Sequence, residues 1–409
     1  MPEEIRRQLQ SLGLRRGSDI QPHVQPRPAA ASDLGLEGHW TETEAGPCYV
    51  VEQAYPPDHR HGHFRLGAFL EESLEPWAPL ATVEEAGALS PSTLVFLDIE
   101  TTGLSDGAGT YAFLIGLGRF EGDLFHLYQI FLPSPAEERA LLQATADLLK
   151  DTGGLVTFNG RGFDLPILAT RFTMARMPLP WHGKVHLDLL PVSRRLWRPR
   201  LTRCALSCLE EHLLGIERDI LDVPGWRIPS LYHDYLRRWD PEVLRPVFYH
   251  NAQDILSMVT LAVRIARFLR DPFGDSGARH GLEFYALGRL YEQRGETSAA
   301  VDAYRAALLL ALPEKARERA WERLSRLLKR AGAWEEAVEV WEALVTRPGS
   351  HPLYAYVELS RYYEHRCQDL ARAEAIVRRA IAEHGEKLPA DDLGRRLKRL
   401  RHKQGDPKE

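Results

Sequence analysis

"LVFLDIETTGL", Leu94 to Leu104, sets two acids, Asp98 and Glu100, at the end of a run of strand-forming apolar residues and then turns on Thr101, Thr102 and Gly103. Residues two apart on a strand face the same side, so the stretch predicts a buried strand that presents a pair of carboxylates. Two acids on one face near a buried edge repel each other and lose hydration, and a divalent cation bound between them relieves that cost. A solvated strand end is the plain alternative.

Around this strand the pattern over residues 93–270 alternates strands and helices. "YAFLIGLGRF" and "LFHLYQIFL" are two further apolar or alternating runs, joined by "EGD" as a hairpin. "SPAEERALLQATADLLK" has a Ser before Pro, acids in its first turn and a terminal Lys, the marks of a helix. The strand "GLVTF", a helix from about Asp164 to Met174, the strand "KVHLDLL" and several helices follow. This order predicts a mixed sheet flanked by helices. Before it, residues 1–92 read as an extension with a short charged helix, then "ETEAGPCYVVEQAYP" as two strands flanking a Gly-Pro turn. After it, over 280–409, "LGRLY" at 287, "LSRLL" at 324 and "LSRYY" at 359 recur at intervals of 37 and 35. Breaks at Gly295, Gly332 and near Asp369 are each followed by a small residue, Ala300, Ala337 and Ala373. That period resembles the tetratricopeptide repeat, an all-α array that usually binds peptides or protein surfaces. An unrelated helical bundle is the alternative.

The chain has 409 residues, 44% of them hydrophobic and 27% charged, with a formal net charge of -5. That length predicts more than one domain, and that charge requires any nucleic-acid contact to come from local basic patches. The opening "MPEEIRRQLQ" has no apolar core, and no apolar run approaches the ~18 residues of a membrane span, so no membrane and a cytoplasmic location are expected. Four cysteines are too few and scattered for a disulfide framework. Cys204 and Cys208 sit in a helical pattern with Leu201, Leu209 and Leu213, and lack the second ligand pair of a zinc site.

Two more stretches carry acids in suggestive settings. In "LVTFNGRGFDLPIL" a strand ends at Phe158, a Gly-rich turn follows, and Asp164 sits where the next helix begins, a position that also suits a helix cap. In "YHNAQDILSMVTLAV" His250 and Asp254 lie one helical turn apart, while Ile255, Met258, Val259 and Ala262 form a packing stripe. An imidazole beside a carboxylate is fit to hold a metal and take a proton from water, and is equally an ordinary surface hydrogen bond.

Taken in order, "FLDIETTGL", "FNGRGFDLP" and "HNAQD" resemble the three exonuclease motifs of the DEDD nucleases of the ribonuclease-H-like superfamily. The first looks like that of proofreading exonucleases and the second like that of family B polymerases. With the repeats behind them, the chain resembles the bacterial ribonuclease-H-like proteins with C-terminal tetratricopeptide repeats. The resemblance implies an α/β ribonuclease-H-like fold and a 3′-to-5′ exonuclease on single-stranded DNA or RNA, with a protein or peptide partner on the repeats. It further implies Asp98, Glu100, Asp164 and Asp254 as ligands of two Mg2+ or Mn2+ ions about 4 Å apart. His250 is the expected general base, with Tyr249 as the alternative. The superfamily's usual third motifs put four residues between His and Asp or three between Tyr and Asp, and here the histidine takes the tyrosine spacing. Thr101, Thr102, Gly103 and Leu104 would contact the terminal nucleotide. Asn159 would hydrogen-bond substrate or hold the Asp164 loop, and Asp188 falls outside the metal set.

Arginine outnumbers lysine 44 to 8, which weakens the signal of any single Arg. Even so, "RRLWRPRLTR", 194–203, is dense enough in Arg and Trp to suit phosphate neutralisation and base stacking, with Arg198 as the candidate contact, or to be a solvated turn. The basic tail "RRLKRLRHK" reads as a capping helix of the repeats. His59, His61 and His63 fall on one side of a possible strand and read as surface or interdomain contacts before a metal site. A metal-dependent endonuclease and a non-catalytic scaffold remain the alternative functions.

Overall fold

The computed structural model describes residues 34–77, 90–103, 109–275, 277–347, 352–384 and 390–404. The helix expected at the start of the chain, and Leu104, lie outside them. The chain divides into two compact units, Met1–Val192 with Ala205–Arg270, and Ser193–Cys204 with Asp271–Glu409.

The first unit is built on β1 (His39–Thr43), β2 (Gly46–Tyr55), β3 (Arg60–His61), β4 (Phe64–Arg65), β5 (Leu94–Thr101), β6 (Ala112–Glu121), β7 (Leu124–Phe131), β8 (Gly154–Thr157) and β9 (Val185–Asp188). Seven of these form one mixed sheet in the order β1-β2-β7-β6-β5-β8-β9, and β3 with β4 makes a separate hairpin. β5 is antiparallel to β6 and parallel to β8, which is parallel to β9. The β6 to β7 turn uses Gly122 at φ 61, a left-handed angle that glycine adopts without strain. The first hairpin turns one step earlier than the Gly-Pro pair suggests, at Glu44 and Ala45, so Gly46 and Pro47 begin β2. Since β2 pairs with β7, residues ahead of 93 contribute two strands to the sheet. His61 is buried against the Ser257 hydroxyl at 2.8 Å, and the β3 to β4 hairpin turns directly after it at Gly62 and His63.

Helices α1 (Glu138–Leu149), α2 (Asp164–Met174), α3 (Leu189–Trp197), α4 (Leu206–Leu209), α5 (Ile228–Arg238) and α6 (Arg245–Arg270) accompany the sheet, and α4 continues as one π-helical turn over Glu210–Leu214. Ser134 starts the turn into α1 by accepting the Ala136 N–H. Leu141 and Leu142 of α1, Leu168 and Phe172 of α2, and Tyr232 and Tyr235 of α5 join Val95, Leu97 and Ile99 of β5 in one apolar core. Phe113 stacks on Tyr232 at 4.2 Å, and the Tyr232 hydroxyl donates to the Leu132 carbonyl, so this buried phenol keeps a partner.

Helix α6 packs on β5 and β6 where "LIGLG" leaves the sheet without side chains. A Cβ on Gly116 would lie 2.3 Å from Asn251 Oδ1, and one on Gly118 2.6 Å from Ile255 Cγ2. These glycines therefore set the approach of the helix that carries Asn251 and Asp254. Gly116→Ala should cost about 1–3 kcal/mol through forced overpacking. Urea denaturation measures it, and an unchanged midpoint would mean that α6 is not held at this contact.

The second unit contains the helices α7 (Gly281–Arg294), α8 (Thr297–Leu309), α9 (Glu314–Arg330), α10 (Trp334–Thr346), α11 (Leu353–His365), α12 (Leu370–His384) and α13 (Ala390–Gln404), each packed against the next. Gly295 (φ 75) and Gly332 (φ 79) allow the left-handed turns between the first two pairs, and Gln368 (φ 54) stands at the third. Ala300, Ala337 and Ala373 are fully buried. Among the described residues no helix is long and apolar enough to cross a membrane.

Candidate active site

Three elements of the first unit bring the acids together. β5 contributes Asp98 and Glu100, with a register shift between Glu100 and Thr101 where the strand leaves the ladder. Asp164 opens α2, and its Oδ1 accepts the Ile99 N–H at 3.2 Å, which ties the start of that helix to the strand between the two acids. α6 lies across β5 with Asn251, whose amide donates to Asp98 Oδ2 at 2.9 Å. Asn251 is itself held, its Oδ1 accepting from Gln129 Nε2 at 3.0 Å, while the same Gln129 amide donates to the Phe248 carbonyl at 2.8 Å. Asp254 follows Asn251 by three residues and faces the same locus.

The electrostatics show what this arrangement costs. Burial, then the neighbouring Asp254 and Asp164, hold the Asp98 carboxyl well above the usual range, and the Asn251 bond only partly offsets them. Burial, followed by Asp98, Asp254 and Asp164, does the same to Glu100. Burial pushes Asp164 up to about 7 against the backbone N–H groups that favour its charged form. Asp254 is raised by burial as well, although Arg218 and His250 pull it back. Four acids thus share one poorly hydrated place.

Arg218 is the cation that answers them. Its guanidinium makes a two-pronged pair with the buried Glu210 at 2.7 Å, reaches Asp222 Oδ2 at 3.3 Å and donates to Asp254 Oδ1. His250 joins this group through Nδ1, 2.7 Å from Asp222 Oδ1, with Nε2 3.8 Å from Asp254 Oδ2. A carboxylate can only accept, so the Nδ1 proton points to Asp222 and Nε2 is turned toward Asp254. Arg218 Nη1, 3.2 Å from the same Nδ1, finds its acceptor on Asp222 instead. Arg218, Asp222 and Glu210 were not read from the sequence: one arginine among many gives no signal, and Glu210 is ordered by the π-turn.

The remaining candidates are placed as follows. The Thr101 hydroxyl donates to the Gly103 carbonyl, and Thr102 exchanges bonds with Tyr111 through both N–H and hydroxyl, so the turn after β5 is self-braced. Asn159 is exposed at φ 68, and its N–H donates to Asp188 Oδ1 at 2.8 Å. Asp188 also takes the Arg161 and Leu190 N–H groups, so it anchors the loop that leads to Asp164. Tyr249 lines a separate cleft with Leu36, Tyr55 and Arg245. Arg198 belongs to the second unit, where it lines a basic cavity.

The donor set suits a hard divalent cation: carboxylate oxygens in excess of nearby positive charge, without thiolates. As the side chains stand, no three His, Cys, Asp or Glu among the described residues converge to enclose an ion, and Asp254 is engaged by Arg218.

A family model described as RNase_H superfamily matches residues 95–266, the stretch that carries all four acids. The Bacillus subtilis (strain 168) "Uncharacterized protein YprB" is 32% identical over 363 residues, covering 87% of this chain and 86% of its own. The family B DNA polymerase of the hyperthermophilic archaeon Pyrobaculum calidifontis aligns at 17% identity and a TM-score of 0.35. That alignment covers 49% of this chain and 29% of the polymerase, too loose a likeness to carry an argument.

Proposed function

We propose, from the premise that this chain belongs to the family of YprB and that its residues 95–266 belong to the RNase_H superfamily, that it is a metal-dependent nuclease. The reading is specific: a 3′-to-5′ exonuclease hydrolysing phosphodiester bonds of single-stranded DNA or RNA. The observation that carries it is the four-acid cluster of β5, α2 and α6, in which burial and mutual repulsion hold Asp98, Glu100 and Asp164 above the ordinary carboxylate range. Groups so strained contribute nothing to folding and suit a site that binds cations.

Asp98, Glu100, Asp164 and Asp254 would hold two Mg2+ or Mn2+ ions, which when bound polarise a phosphoryl oxygen and lower the pKa of water. Asn251 fixes the Asp98 carboxylate through its amide. His250, oriented by Asp222, offers Nε2 to accept the proton of an attacking water. The braced turn Thr101–Gly103, continuing to Leu104, and the Asn159 loop would receive the terminal nucleotide. The helices over 280–409 act as tetratricopeptide-like repeats that recruit a protein or peptide partner.

The test uses 5′-labelled single-stranded DNA and RNA with Mn2+ or EDTA. A ladder that shrinks from the 3′ end only with metal is expected. Products of internal cleavage would favour an endonuclease, and no cleavage of either strand would sink the nuclease reading. Replacing His250 and Tyr249 separately by Phe should lower kcat by about 10²–10⁴ for His250 alone. Equal losses, or a larger one at Tyr249, would move the base to the tyrosine.

A further inference from the structure

The second unit has a cavity of about 690 Å³ whose wall carries Arg194, Arg195, Arg198, Arg289, Lys315 and Arg319 and no acid. These six side chains come from three places in the sequence, all in the second unit: the last turn of α3 with Arg198 just beyond it, the middle of α7 and the first turns of α9. All six are exposed, and among the described residues none makes an ion pair. Several other cations of this unit are matched, Arg200 with Glu283, Arg323 with Glu292 and Lys329 with Glu358. In a chain of net charge -5, six cations gathered without a counter-charge are held apart only by solvent, and a bound polyanion offsets their repulsion. Leu282, Ala286 and Leu290 also line it.

We propose that this cavity binds the phosphate backbone of single-stranded nucleic acid, at a site separate in the chain from the four acids. Five of the six cations are guanidinium groups, whose planar fork matches a phosphodiester in two-pronged fashion. The apolar residues of the lining, Leu282 and Leu290, would accept the face of a sugar or base. The choice of nucleic acid over an acidic peptide rests on the nuclease reading of the first unit.

The test reads binding apart from hydrolysis, on the full chain in EDTA, by the anisotropy of fluorescein-labelled dT20 and rU20 at 50–200 mM NaCl. Wild type should bind with a log-log salt slope of about -4, six contacts at roughly 0.7 each. Arg289→Ala with Arg319→Ala should weaken binding about tenfold and lower the slope by about 1.4. Both positions are exposed, so an unchanged circular dichroism spectrum verifies the fold. Arg330→Ala with Lys398→Ala, two exposed cations of this unit outside the cavity, should bind as wild type, which ties the loss to this site. Affinity and slope unchanged in the double variant, or tighter binding of polyglutamate than of either oligonucleotide, would overturn the proposal.

Discussion

Asp98→Asn should abolish metal-dependent hydrolysis and at the same time make the protein more stable in EDTA. The asparagine keeps the shape of the residue and can still accept the Asn251 amide, while it removes one of four acids that raise each other's pKa. Relief of that repulsion is worth about 1–2 kcal/mol, or a few degrees in the thermal midpoint of a chain this long. Loss of a metal ligand removes several kcal/mol of transition-state stabilisation, so a rate fall of order 10³ or more is expected. A merely structural Asp98 behaves otherwise: its loss would lower stability. Calorimetry and a cleavage assay on the same preparation read both effects.

The second large effect is in the pH dependence of stability. Asp98, Glu100, Asp164 and Asp254 all have native pKa values above their unfolded ones, and Asp164 reaches about 7. These four groups therefore bind more protons in the native state than in the unfolded chain between about pH 4 and 7, and their contribution to stability falls as pH rises through that window. The fall amounts to a few kcal/mol for the cluster. Mn2+ should restore the loss at pH 7.5, since binding to the native acids alone pulls the equilibrium back. Urea midpoints at pH 5, 6, 7 and 8, with EDTA or Mn2+, measure it. Burial pushes His61 and His186 down to about 4, which acts in the opposite sense below about pH 6.5, so the cluster is read as the difference between wild type and Asp98→Asn; the same pH dependence in both would contradict the assignment of these shifts to the cluster.

Much of this was legible in the sequence because it is local. The same-face pair on β5, the acid at the start of α2 and the i, i+4 spacing of His250 and Asp254 are all read from a few consecutive residues. What escaped reading depends on long-range partners. Arg218 matters because folding sets it against Asp254 on α6 as well as against Glu210 and Asp222 on either side of it in the chain. Gln129 sits in an apolar strand, and its role appears only when α6 crosses it. The pairing of β2 with β7 joins the opening residues to the sheet, a register that no local pattern announces. Cys204 and Cys208 suggested one continuous helix, but α4 begins at Leu206, after Cys204, and passes into a π-turn. Within the basic stretch 194–203, only the fold shows Arg198 among the cations of a second-unit cavity.

The central claim is that these acids bind divalent ions, and titration of the full chain with Mn2+ in an isothermal calorimeter tests it most directly. At pH 6.5 the ions should displace protons from the raised carboxyls, so the observed heat should depend on the ionisation enthalpy of the buffer. Asp98→Asn should lose that binding. Equal Mn2+ binding by wild type and variant, or none by either, would contradict the account.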